Sequence, residues 1–134
     1  MNVLIAEDDR VTARVLDKLL RAKGLAVKVV HRGDEAWRAL DSEAPPLVAV
    51  LDWTMPNLSG PEVCRRVRAR AGAPYTYLLL LTGRDQTSDV TAGLDAGADD
   101  YVKKPFEIAD LMQRVKHGME VARARRGVPE GDRG

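Results

Sequence analysis

Val3-Leu4-Ile5-Ala6 runs straight into Glu7-Asp8-Asp9, an apolar run that ends on three acids. The same change recurs along the chain: Leu47 to Leu51 stops at Asp52, Leu78 to Leu81 at Thr82, and Tyr101-Val102 at Lys103-Lys104. Short apolar runs bounded in this way read as buried strands. In a parallel α/β sheet the carboxyl ends of the strands lie along one edge, where ligands bind. Acids, a hydroxyl and a lysine are therefore expected to converge there.

Strand-like runs alternate with helix-like stretches throughout, the pattern of a parallel sheet covered by helices on both faces. Strands are predicted at 2–6, 26–30, 47–51, 76–81 and 100–102. The first helix, 10–23, carries Val11, Val15, Leu16, Leu19 and Leu20 on the face expected to pack on the sheet, with Gly24 as its stop. A second begins after Gly33-Asp34, where Asp34 can accept from first-turn amides; it buries Ala36, Trp37 and Leu40 and ends before Pro45-Pro46. A third follows Ser59-Gly60-Pro61, anchored by Val63 and Val67. Thr87 or Ser88 can cap a fourth, whose Ala92, Gly93 and Ala96 bury little apolar area, so it should be the loosest. The fifth, 106–126, places Ile108, Leu111, Met112, Val115 and Met119 at helical spacing, a core stripe rather than a cofactor box. Residues 127–134 offer nothing to bury and read as a flexible tail or the start of a linker after a single domain at 1–126.

A chain of 134 residues fits one such domain. Its formal net charge of +1 creates no overall field for nucleic acid or membrane, so any charge-based function is local. Arg123, Arg125 and Arg126 read as an exposed helix end that complements the helix dipole, not as a nucleic-acid contact. A lone Cys64 excludes an intramolecular disulfide and reads as a small buried side chain. The chain opens on a strand with no room for a leader, and no apolar stretch approaches ~18 residues. A cytoplasmic protein with no membrane partner is the expectation.

If the first and third strands are neighbours, as in the 2-1-3-4-5 order, Glu7, Asp8 and Asp52 share a cleft. Unpaired, such a cluster repels itself and must bind a cation or protonate. A hard divalent ion with part of its water shell, magnesium above all, suits oxygen ligands of this kind. Lys104 supplies a fixed positive charge able to pair with Asp52, while Lys103, one residue earlier, should point elsewhere by strand alternation. For any one of these acids a solvated loop or helix cap is the better reading. For the whole set at four strand ends it is the poorer one.

The chain resembles a receiver domain of two-component response regulators over about residues 2–123. The resemblance rests on Glu7-Asp8, on Asp52-Trp53-Thr54-Met55-Pro56 followed by Gly60, on Thr82-Gly83, on Ala96-Gly97-Ala98-Asp99-Asp100-Tyr101, and on Lys104-Pro105-Phe106, in this order and spacing. It implies a doubly wound, five-stranded, flavodoxin-like three-layer fold. It also implies that Asp52 accepts a phosphoryl group from a sensor histidine kinase or phosphotransfer protein. Mg2+ would be held by Asp8, Asp52 and the backbone carbonyl of Thr54, with Glu7 acting through water. Asp9 follows at once and leaves open which acid reaches the metal, although the receiver pattern favours Asp8. Thr82 and Lys104 would contact the phosphoryl oxygens, and the Lys104–Pro105 bond would be cis. Beyond phosphorylation and dephosphorylation of its own Asp52, no enzymatic turnover is implied.

A phosphoryl group on Asp52 would draw Thr82 inward and shift residues 83–87, opening space for the ring of Tyr101. The surface of the fourth helix, fifth strand and fifth helix would then change for a downstream effector or a fused output domain, in a monomer or a phosphorylation-dependent dimer. The plainer alternative for Tyr101 is a half-buried strand aromatic. Trp53 should pack at the cleft rim. Two other functions compete. An aspartyl phosphatase of the haloacid-dehalogenase kind needs a second acid two residues after its nucleophile, where Thr54 stands. A flavodoxin-like cofactor carrier needs a phosphate cradle after the first strand, where Glu7-Asp8-Asp9 would repel an anion.

Overall fold

A computed structural model describes residues 2–83 and 87–127, with no side-chain description for 87–89. Strands and helices alternate as β1 (Val3–Ala6), α1 (Arg10–Ala22), β2 (Val27–Val30), α2 (Gly33–Leu40), β3 (Val48–Asp52), α3 (Gly60–Arg68), β4 (Tyr77–Thr82), α4 (Thr87–Asp95), β5 (Asp100–Lys103) and α5 (Ile108–Arg125). The strands pair in parallel in the order β2-β1-β3-β4-β5. Because β1, β3 and β4 are covered on both faces, every residue in them is buried, including Asp52 and Thr82 at their ends.

Alternate strand residues feed two cores. Leu4, Ala6, Ala49, Leu51, Leu78 and Leu80 pack with Ala36 and Leu40 of α2 and Val63 and Cys64 of α3. Val3, Ile5, Val48, Val50, Leu79 and Leu81 pack with Leu16 and Leu20 of α1 and Leu111, Val115 and Met119 of α5. Burial pushes the Cys64 thiol up to about 12, so it behaves as the inert core side chain expected. The third helix opens with a capping box: Ser59 accepts from the Glu62 amide and Glu62 accepts from the Ser59 amide. Gly60 follows because a Cβ there would lie 2.6 Å from the Asp52 carbonyl oxygen.

Several sequence expectations change. Asp52, Thr82 and Lys103 are the last residues of their strands rather than the first beyond them. In α1, Ala13, Leu16 and Leu20 face the sheet, whereas Val11 is 73% and Val15 43% exposed and Leu19 is half-buried. The five apolar positions span about 180° of the helix, more than one sheet face can cover. Asp34 does not cap α2: the helix starts two residues earlier than expected, at Gly33, and the Asp34 carboxylate takes Arg32 Nε and Nη2, each at 3.0 Å. Trp37 is half-buried, with the Arg66 guanidinium over its ring. Ile108, at the first turn of α5, is exposed. Arg126 is not a free helix end, since it donates to the carbonyls of Tyr75, Pro45 and Pro46 at 2.7, 3.1 and 2.9 Å. The caps expected at Thr87 or Ser88, most of the 83–87 loop and the tail beyond Gly127 lie outside the described residues.

Leu16→Ala should cost about 2–5 kcal/mol through the cavity it leaves, whereas Val11→Ala should stay within about 0.5 kcal/mol. Urea unfolding of the two variants checks this, and equal losses would contradict the orientation of α1.

Candidate functional site

Adjacent β1 and β3 bring Asp52 beside the acids that follow Ala6. One carboxylate oxygen from each of Glu7, Asp8 and Asp52 lies within 4.8 Å of the others. Glu7 is completely buried, Asp52 nearly so, and Asp8 exposed. From β5's end, Lys104 Nζ donates to Glu7 Oε1 at 2.8 Å and to Asp52 Oδ1 at 3.2 Å. The lysine thus pairs with Asp52, as the sequence indicates, and more closely with Glu7. Its ammonium is pulled down by burial, but the Glu7 hydrogen bond and the charges of Asp52 and Glu7 outweigh that and raise its pKa. The Lys104–Pro105 bond is cis. Lys104 is further held by its amide, which donates to the Thr82 carbonyl at 2.7 Å.

Asp9 takes a different place from its neighbours. Its carboxylate caps α1, accepting from the Val11 amide at 3.3 Å and from the Thr12 hydroxyl at 2.5 Å. The three-acid group is accordingly Glu7, Asp8 and Asp52. Thr54 is exposed on the loop after β3, Thr82 is buried at the end of β4, and Lys103 is exposed. Trp53 is half-buried beside Asp52, and its indole lies against Gly93 of α4, so it packs beneath that helix. Tyr101 is 37% exposed on β5. One neighbour carried no signal in the sequence: the His31 ring Nδ1 stands 2.9 Å from the Glu7 backbone carbonyl.

Burial raises the Asp52 carboxyl to about 8, assisted by the Glu7 hydrogen bond and charge and opposed by Lys104. Like-charged carboxylates in one crevice share this cost until a cation arrives. All the side-chain donors are hard oxygens, and an exposed acid beside two buried ones leaves one side open to water. That set fits a partly hydrated divalent ion such as magnesium.

Comparisons with known proteins agree with this geometry. Residues 3–116 match the family described as the response regulator receiver domain. The phosphate regulon transcriptional regulatory protein PhoB of Rhizobium meliloti is 41% identical over 128 residues, 96% of this chain and 54% of that protein. The chain therefore spans about half the length of the curated relatives it matches. The receiver domain of the Francisella response regulator 1452 superposes with a TM-score of 0.82 at 31% identity, covering 90% of this chain and 97% of that one. The receiver domain of the Pseudomonas aeruginosa sensor histidine kinase PA1611, with magnesium coordinated in its active site cleft, gives a TM-score of 0.77 at 28% identity, covering 89% and 97%. This chain belongs to the response regulator receiver family.

A carboxyl raised on folding stabilises the folded state most below its unfolded value of 3.8, and that contribution is lost as pH rises through about 8. Metal-free wild type should therefore lose stability relative to Asp52→Asn over this interval, read from urea unfolding at several pH values. Parallel pH profiles for the two proteins would contradict the raised Asp52.

Proposed function

We propose that Asp52 is the phosphoacceptor of this receiver, and that Asp8, Asp52 and the Thr54 carbonyl hold Mg2+ with Glu7 reaching it through water. The observation that carries this reading is the gathering of Glu7, Asp8, Asp52 and Lys104 around one point at the carboxyl edge of the sheet. The magnesium in the cleft of the Pseudomonas receiver supports the choice of ion. When bound, the ion neutralises charge on the transferring phosphoryl oxygens.

The donor is a phosphohistidine on a sensor histidine kinase or a phosphotransfer protein. An Asp52 carboxylate oxygen forms a bond to phosphorus as the phosphorus–nitrogen bond breaks. The electron pair leaves on the imidazole nitrogen, which takes a proton from solvent, and an acyl phosphate remains on Asp52. Lys104 holds a positive charge against the equatorial oxygens, and the Thr82 hydroxyl donates to one of them. Water later cleaves the acyl phosphate and returns Asp52, so the domain turns over only its own phosphate. Thr82 moving toward the phosphoryl group makes room for Tyr101, and the surface of α4, β5 and α5 passes the change to an effector or a fused output domain. The shallow seating of α4, whose described residues 90–95 include no buried side chain and only Gly93 as a buried residue, supports its being the element that moves. A cytoplasmic setting goes with such a partner.

Incubated with acetyl phosphate and magnesium, wild type should gain the mass of one phosphoryl group and Asp52→Ala none. Lys104→Ala should be phosphorylated about 10²-fold more slowly. An adduct that survives in Asp52→Ala, seen by intact mass, would reject Asp52 as the acceptor.

A further inference from the structure

The turn that joins β2 to α2 touches both loops that carry the acidic site. At its start, His31 Nδ1 lies 2.9 Å from the Glu7 carbonyl oxygen. A carbonyl only accepts, so the ring proton is on Nδ1 and the imidazole donates. Two residues later the Gly33 amide donates to the Pro56 carbonyl at 3.0 Å, on the loop that leaves Asp52. The backbones meet there without space between them: a Cβ on Gly33 would fall 1.9 Å from the Leu58 carbonyl oxygen.

The turn is itself held rigid. The His31 amide donates to Glu35 Oε1 at 3.3 Å, and Arg32 pairs with Asp34. The Asn57 side chain, on the same Asp52 loop with its φ at 74°, lies beside Asp34 and helps hold that carboxyl below its usual range. The Glu7 side is gripped through one carbonyl and the Asp52 side through Pro56, Leu58 and Asn57.

We infer that the turn at residues 31–33 is a positioning element that sets the separation of the two metal-presenting loops, with His31 acting through Glu7 and Gly33 through Pro56. This rests on the proposed metal site. Hydrogen-bonding partners one step behind the ligands fix ligand orientation, and their removal weakens metal binding without touching the ion.

Manganese binding, followed by the electron paramagnetic resonance of the free ion, tests this in the full chain. His31→Ala and Gly33→Ala should weaken binding about tenfold. His31→Asn, whose amide can donate to the same carbonyl, should recover most of that loss. Thermal unfolding of the metal-free proteins separates positioning from simple destabilisation: the recovery in His31→Asn must follow metal affinity, not melting temperature. Wild-type affinity in His31→Ala, or an equal loss in His31→Asn, would overturn the inference. Should Gly33→Ala fail to fold, the two His31 variants decide alone. A wild type that binds no manganese would overturn the metal-site reading itself, and the positioning role with it.

Discussion

The ammonium of Lys104, set between the carboxylates of Glu7 and Asp52, is the contact on which the rest of the site depends. With all three carboxyls ionised, the carboxylates and one ammonium leave a formal charge of −2 in the crevice, and the raised Asp52 carboxyl takes up a proton to lower it. Unit charges no more than 4.8 Å apart repel by at least on the order of 3 kcal/mol at an effective dielectric of about 20. One lysine offsets part of this and no more. A divalent cation would match the remainder, and in the proposed transfer an arriving phosphoryl group would then meet a centre that is no longer repulsive.

The fold divides its tasks between the two edges of the sheet. Chemistry stands at the carboxyl edge, where the ladder extends through Asp52 and Thr82 and so holds both residues by their backbones. The amino edge is tied by arginines. Arg68 donates to the Gly97 and Thr76 carbonyls and pairs with Asp99 at 2.6 Å, while Asp99 also accepts from the Tyr75 hydroxyl and the Leu78 amide. Arg70 donates to Leu40 and Ser42, and Arg126 to Tyr75, Pro45 and Pro46. Cations spent on backbone carbonyls in this way leave the opposite edge free to keep an excess of acid.

The strands and the residues of the acidic crevice could be read from sequence because each central strand shows its boundary as a change from apolar to polar side chains, whereas the strand order that brings those residues together came from the family resemblance and is seen in the sheet itself. Periodicity was a weaker guide for α1, where Val11 and Val15 form a stripe beside Leu16 and Leu20 and only contact with the sheet chooses between them. Asp34 illustrates a local rule overruled from a distance, since the Pro56 carbonyl takes the Gly33 amide and lets α2 begin early. His31, Arg68, Arg70 and Arg126 were illegible for a shared reason. Their acceptors include backbone carbonyls brought close by the fold, and a carbonyl has the same chemistry whatever residue bears it. Asp9 belonged to the same acidic run as Asp8, and only the start of α1 assigned it to capping.

The central claim is that this crevice stays electrostatically incomplete until a divalent cation enters among Glu7, Asp8 and Asp52. Anomalous diffraction from crystals of the protein grown with manganese measures that directly. A single ion bound by Asp8, Asp52 and the Thr54 carbonyl is the result predicted here. Ions found only elsewhere, with Lys104 still bridging Glu7 and Asp52 over an empty crevice, would contradict it.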